Sequence, residues 1–287
     1  MEKTALFSFL LLASCNAQVL EKVFEFPKSL KENSGIAVTP QSELIWTIED
    51  SGNEPEIYGL DQSGNIKHTV RVNNAENIDW EDLASDAAGN LYIGDFGNNE
   101  NKRKDLSILV VSQNALANDQ ATVSSVQFYF PEQKDFPPKK SQLVFDVEAF
   151  FFYQDHFYLF TKNRSSKFDG QTTLYEVPNQ PGNHAAKKLG QFTTCDNFNH
   201  CAITSADISP DGKTVALLSS SHVWLFTDFD GNRFLDGKVE QVDLGDFSQK
   251  EGLCFSGNNT LLISDEKKKN TGGNLYAIDL SGSKAKP

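Results

Sequence analysis

Three glutamates stand at the head of hydrophobic segments in this 287-residue chain, in Glu81-Asp82-Leu83, Glu148-Ala149-Phe150 and Glu251-Gly252-Leu253. Ser34-Gly35-Ile36 and Ala206-Asp207-Ile208 take the same register in two further segments, so the pattern recurs five times. If the five units close into a ring, these entry residues converge on one axis, and carboxylates that converge need a cation or a proton to coexist. Ser34, Glu81, Glu148 and Glu251 offer hydroxyl and carboxylate oxygens, which suit a hard cation with about six to eight oxygen ligands. Calcium is therefore expected. Ala206 leaves the fourth unit only a backbone carbonyl, Thr204 or Ser205. The alternative role for all of these residues is to hydrogen-bond strand-entry amides or trapped water.

A second set follows the next strand of each unit: Asp50, Asp95, Asn163, Arg164 and Asp265-Glu266. These side chains should crown the ring. Asp50 or Asp95 could orient water and Arg164 could stabilise developing phosphoryl charge, which makes the three the candidate catalytic residues of a metal-assisted phosphohydrolase. The competing explanation is local, because the Asp-Ser-Gly-Asn of residues 50–53 and the Asp-Phe-Gly-Asn-Asn of residues 95–99 are good turn formers. Asp228-Phe229-Asp230-Gly231-Asn232 starts like a calcium loop, but Arg233 stands where that loop needs glycine, so a hairpin turn is expected. Lys267-Lys268-Lys269 reads as a solvated run at the rim. The chain has no Gly-x-Ser-x-Gly, phosphate loop or His-Glu-x-x-His, which disfavours nucleophilic, P-loop and zinc-protease chemistry.

The elements that must position these residues are short strands. Each unit has an entry strand and a turn, then a more hydrophobic strand (43–48, 90–94, 156–161, 214–219 and 260–264) and a third (57–60, 106–111, 174–177, 223–226 and 275–278). A polar fourth strand ends the first four units, at 66–72, 123–130, 188–193 and 239–244. Four antiparallel strands repeated at this spacing, with Gly-Asn and Asp-Gly turns and no long amphipathic helix, predict an all-β propeller. The fifth unit lacks a fourth strand, and Val23-Phe24-Glu25-Phe26 is free to supply it and close the ring. Five blades are expected, with six as the alternative.

The N-terminus reads as an export signal over residues 1–14, with Lys3 before the apolar run Ala5 to Ala13. Leu12-Ala13-Ser14-Cys15 resembles a bacterial lipobox, which implies lipidation of Cys15, a tether over residues 15–22, the propeller over 23–280 and a polar tail over 281–287. Asn16 is not the aspartate of an inner-membrane retention signal, so an outer-membrane lipoprotein of the cell envelope is expected. Cys195 and Cys201 flank a polar loop in an exported chain and should form a disulfide; a zinc site with His200 is the alternative. Cys254 sits in an apolar strand as an inert thiol. The 39 acidic against 26 basic residues give a net charge of −13, which argues against nucleic acid as a partner. Membrane through the anchor, a small anionic ligand or an envelope protein remain, and a monomer is expected.

The ring order Ser, Glu, Glu, Ser/Thr-rich, Glu resembles the soluble calcium-activated nucleotidases of the apyrase family. Ile48-Glu49-Asp50-Ser51-Gly52 is similar to that family's acidic turn, and Lys162-Asn163-Arg164-Ser165 falls where it carries a basic pair. The resemblance implies a five-bladed propeller with a central calcium and hydrolysis of phosphate anhydrides. Asp79-Trp80-Glu81-Asp82-Leu83-Ala84 and Gly94-Asp95-Phe96-Gly97-Asn98-Asn99 also resemble propeller lipoproteins of Bacteroidetes-type bacteria and the phytase-like and SdiA-regulated propellers. Those likenesses imply a fold more than an activity. Two readings follow: a calcium-rigidified binding or scaffold module of the envelope, and a calcium-dependent phosphohydrolase.

Overall fold

A computed structural model describes residues 20–282. Five antiparallel sheets surround one axis, and each contributes an innermost strand: Asn33–Val38, Trp80–Ser85, Asp146–Tyr153, Ile203–Ile208 and Lys250–Phe255. Each innermost strand packs on the next, and the fifth packs back on the first. The protein is an all-β, five-bladed propeller, which excludes six blades.

Ring closure uses the N-terminal strand. Glu21–Glu25 pairs antiparallel with Asn274–Asp279 and becomes the outer strand of blade five. It starts two residues before the position read from the sequence, inside the segment assigned to the tether. Phe24 and Phe26 are buried with Ile36, Leu262 and Leu275, so this closure also joins the first blade to the last. Two short parallel strands that the sequence did not suggest cover outer edges. Gln120–Ala121 lies along Ile66–Val72 of blade one, and Gly182–Ala185 lies along Ser124–Tyr129 of blade two. Both remove exposed ladder groups that would otherwise invite further strand pairing.

Apolar faces meet between neighbouring blades, where much of the chain's phenylalanine is used. Phe96, Phe128 and Phe150 pack between blades two and three, while Phe151, Phe160, Trp224, Phe226 and Phe234 pack between three and four. Near the axis the side chains must be small. A Cβ on Gly35 would lie 2.6 Å from the Leu83 amide nitrogen, so only glycine fits there. Asp82 is the exception. Fully buried, it accepts hydrogen bonds from the amides of Leu83 (2.9 Å) and Phe150 (3.1 Å) and from the Ser205 hydroxyl (3.0 Å). Ser205 Oγ in turn accepts from the Leu253 amide at 3.0 Å, so one carboxylate and one hydroxyl link the inner strands of four blades.

Cys195 and Cys201 are joined in a disulfide with a Cα–Cα distance of 5.6 Å. Neighbouring His200 hydrogen-bonds Ser221 Oγ at 2.7 Å and contributes to no metal cluster among the described residues. Cys254 is a buried free thiol. The segment beginning at Asp228 is a turn between the third and fourth strands of blade four, with Asp228 ion-paired to Lys238. Cys15 and the export signal lie outside the described residues. None of the described helices is long and apolar enough to cross a membrane.

Closure by the first strand makes a direct prediction. Phe24→Ala should lower unfolding free energy by about 3 kcal/mol, measured by urea denaturation. A loss under about 1 kcal/mol would mean that the terminal strand does not hold the ring shut.

Candidate functional site at the mouth of the ring

In every blade the ladder between the inner and second strands skips one inner-strand residue. Pairing runs from Asn33–Glu49 to Gly35–Ile48 in blade one and from Trp80–Asp95 to Asp82–Gly94 in blade two. The same break separates Val147 from Ala149, Ile203 from Ser205 and Lys250 from Gly252. A β-bulge of this kind frees one residue from the ladder and re-aims it. The freed residues are Ser34, Glu81, Glu148, Thr204 and Glu251, and all five line one cavity of about 750 Å³. The fourth unit is therefore registered two residues earlier than the sequence pattern suggested. Thr204, not Ala206, stands in the ring, and Ala206 packs in the core between blades three and four.

The ring glutamates are not equivalent. Glu148 Oε2 accepts from Lys162 Nζ at 2.8 Å, and its other oxygen pairs with Arg164, which also holds the buried Asp146. Burial would raise the Glu148 pKa, but Lys162 and Arg164 outweigh it and hold the carboxyl below its usual range. Burial and the charge of Glu148 push Asp146 up to about 8 against the pull of Arg164, and the four side chains form one ion-paired group.

Glu81 has no such partner among the described residues. Burial comes first, followed by the charges of Glu148, Asp50, Asp146 and Asp79, and together they push it well above the usual carboxylate range. Asp79 is pushed up to about 6 by burial and by Asp50, and burial raises Asp50 as well. Oxygen atoms of Asp50, Asp79 and Glu81 can lie within 4.8 Å of one another. Glu251 stands apart from this group. Loss of water contact pushes it up to about 7, opposed by Lys162 and reinforced by Glu148.

The Gly94-to-Asn99 motif shapes the wall behind the acidic group. Asp95 turns inward, where its carboxylate meets Arg103 at 3.0 Å and accepts from the Asp79 amide at 3.2 Å. It does not line the cavity. Its expected place as a water-orienting group at the mouth is thus corrected, because the residue that follows the bulge partner in blade two is Phe96, which is fully buried. Glu81 and Asp79 pack directly against Gly97, since a Cβ there would fall 2.2 Å from Glu81 Oε1 and 2.5 Å from Asp79 Cγ. Asn98 donates its amide to Asp146 Oδ1 at 2.7 Å, joining this wall to the ion-paired group.

Of the other candidates, Asp50 lines the cavity beside Glu81, and Arg164 lines it with its guanidinium held by two carboxylates. Sequence reasoning missed Asp79 and Lys162 as the partner of Glu148, and it left Thr204 as one of three alternatives for the fourth unit. The first was legible in Asp79-Trp80-Glu81, since the bulge at Glu81 puts both acids on one side.

A hard cation fits the donor set, which is all oxygen. Ser34 Oγ and Thr204 Oγ1 are buried, face the cavity and have no hydrogen-bond partner among the described residues. Buried hydroxyls in that state are uncommon unless a ligand, ion or water meets them. Glu148 is already neutralised, and it and Glu251 lie outside the group formed by Asp50, Asp79 and Glu81.

No family model matches this sequence, and no curated protein sequence does either. Solved structures do resemble it. The PQQ-bound aldose sugar dehydrogenase of Streptomyces coelicolor superposes with a TM-score of 0.54 at 10% identity, covering 92% of this chain and 98% of that one. A structure of a nidogen/laminin complex gives 0.50 at 13% identity over 88% and 78%. A gluconolactonase from Xanthomonas campestris gives 0.49 at 10% identity over 93% of each chain. At such identities the likeness is one of fold. The short sequence motifs resembled nucleotidases and phytases. What stands of that resemblance is the five-bladed propeller.

The raised pKa of Glu251 fixes a pH dependence. With a folded pKa of about 7 and an unfolded value of about 4.3, the folded state binds more protons between these limits. Stability therefore falls as pH rises from about 4.5 to 7. In chelator the melting temperature should drop across this window, and Glu251→Gln should flatten the drop. An equal slope in the variant would remove Glu251 as its source. Separately, Arg164→Ala takes the cation from buried Asp146 and leaves Glu148 with Lys162 alone, and should cost about 3 kcal/mol or more of unfolding free energy, measured by urea titration.

Proposed function

We propose that this protein is an exported, lipid-anchored propeller of the cell envelope that binds calcium at the mouth of its ring and uses that face to bind a ligand. The observation that carries this reading is the group of Asp50, Asp79 and Glu81. Their oxygens can approach within 4.8 Å, and none is ion-paired to lysine or arginine among the described residues. Three clustered carboxylates oppose one another unless a cation or protons intervene. Ser34 Oγ, unpartnered in the same cavity, is a further oxygen ligand. The cation would supply local positive charge and rigidity where the blades converge. Attachment to the membrane rests on Cys15 and its lipobox context, and export agrees with the Cys195–Cys201 disulfide.

A second reading, metal-assisted hydrolysis of a phosphate ester or anhydride, draws support from Asp50 and Arg164 lining one cavity. It is weakened because Arg164 is already bound to Asp146 and Glu148 and Lys162 to Glu148. Binding is therefore the favoured reading.

Calcium at 100 times its dissociation constant should raise the melting temperature by about 5 °C relative to chelator, and Asp79→Asn should abolish most of that rise. An unchanged melting temperature contradicts the cation centre. In the same samples, calcium-dependent turnover of nucleotides or phosphomonoesters would replace the binding reading with the hydrolytic one.

A further inference from the structure

We infer that the ligand of this mouth is a neutral saccharide, with one sugar ring stacked on Phe247 and its hydroxyls donated to the cavity's carboxylates. The inference rests on the mouth being a binding face and is independent of whether calcium occupies it.

The first observation is the rim. Phe247 is 58% exposed, more than any other large hydrophobic residue among those described, and it lines the cavity. One face of its ring rests on the His200 imidazole, with ring centres 4.6 Å apart. The loop that presents it is anchored. Lys250, with no exposed surface, sends its ammonium to Asp246 Oδ2 and Ser248 Oγ, both at 2.9 Å, bracketing Phe247 on either side. Burying a lysine is costly unless its charge is paired and hydrogen-bonded. Here that cost holds an apolar ring out in solvent, where it gains nothing from the core. Phe198 also lines the cavity, on the loop closed by the Cys195–Cys201 disulfide that carries His200.

Charge is the second observation, and it chooses among ligands. Three cations line the cavity: Lys162 and Arg164 are ion-paired with Glu148 and Asp146, and Lys268, exposed at the rim, lies 3.9 Å from Glu266. Even a divalent cation at Asp50, Asp79 and Glu81 leaves that trio with a negative remainder, and Glu251 and Glu266 also line the wall. An anion such as a phosphate would enter against this field. A polyol meets no such penalty, since ionised carboxylates accept hydroxyl hydrogens and the C–H face of a pyranose packs on the negative face of an aromatic ring. The unpartnered hydroxyls of Ser34 and Thr204 supply further polar contacts in the same cavity. Its volume of about 750 Å³ lies within the usual range for small-molecule sites.

The test is a glycan array of neutral mono- and oligosaccharides probed with the lipid-free chain, followed by calorimetric titration of the best binder, with glucose 6-phosphate and pyrophosphate as anionic comparisons. The expected result is saturable binding of at least one neutral saccharide, with neither anion binding more tightly. Phe247→Ala should weaken that binding tenfold or more and Phe247→Trp should retain it, while both variants keep the wild-type thermal response to calcium. An array with no binder, an anion that outcompetes the saccharide, or a Phe247→Ala variant with undiminished affinity overturns the proposal. A calcium response that survives any of these results leaves the cation centre standing, and a saccharide that binds in chelator shows the reverse.

Discussion

One extra residue in each inner strand governs this molecule. A propeller strand alternates its side chains between two faces, both of which are claimed by neighbouring blades. A residue at the strand entrance can face the axis only if the ladder skips it, and the ladder does skip Ser34, Glu81, Glu148, Thr204 and Glu251. Five equivalent bulges thus convert a fold built from apolar contacts between blades into a polar ring. The residue after each bulge (Gly35, Asp82, Ala149, Ser205 or Gly252) then lies near the axis, where space is short. Four of these are small, and the fifth, Asp82, is used as a buried bridge.

The ring also concentrates charge, and its two sides handle that charge differently. On the blade-three side, lysine and arginine from the second strand and its loop pair with Glu148 and Asp146, giving a closed network whose members are all hydrogen-bonded. On the side of blades one and two, Asp50, Asp79 and Glu81 have no equivalent partners among the described residues, and two of them pack directly against Gly97, where no larger residue fits. Structure without function would favour the first arrangement throughout, because unbalanced buried carboxylates reduce stability. The asymmetry is the reason to place the ligand chemistry on one wall, with the anchored Phe247 on the rim of the same cavity.

Much of the fold was legible in the chain because it rests on periodicities that survive without context. The strand runs, the turns at Gly89-Asn90 and Asp211-Gly212 and the terminal strand at Phe24 follow from alternation and turn chemistry. The bulges did not. In Ile203-Thr204-Ser205-Ala206-Asp207-Ile208 the apolar pattern fits two registers, and choosing the one that matches Gly35 with Asp207 misplaced the fourth unit by two residues. Pairing of Glu148 with Lys162 and Arg164 crosses a hairpin, so the charges balance only once the strands have met. Asp95 and Asp50 occupy similar sequence contexts, yet Asp95 is one register position earlier and points at Arg103. Spacing alone could not separate them.

The central claim is that the unbalanced wall binds one cation. Its most direct test is anomalous diffraction from crystals soaked in a lanthanide, a calcium substitute with strong scattering. A single axial-side peak among the carboxylates of Asp50, Asp79 and Glu81 is the expected result. A map without a peak there, or with its peak at Glu148 beside Lys162 and Arg164, would contradict the account.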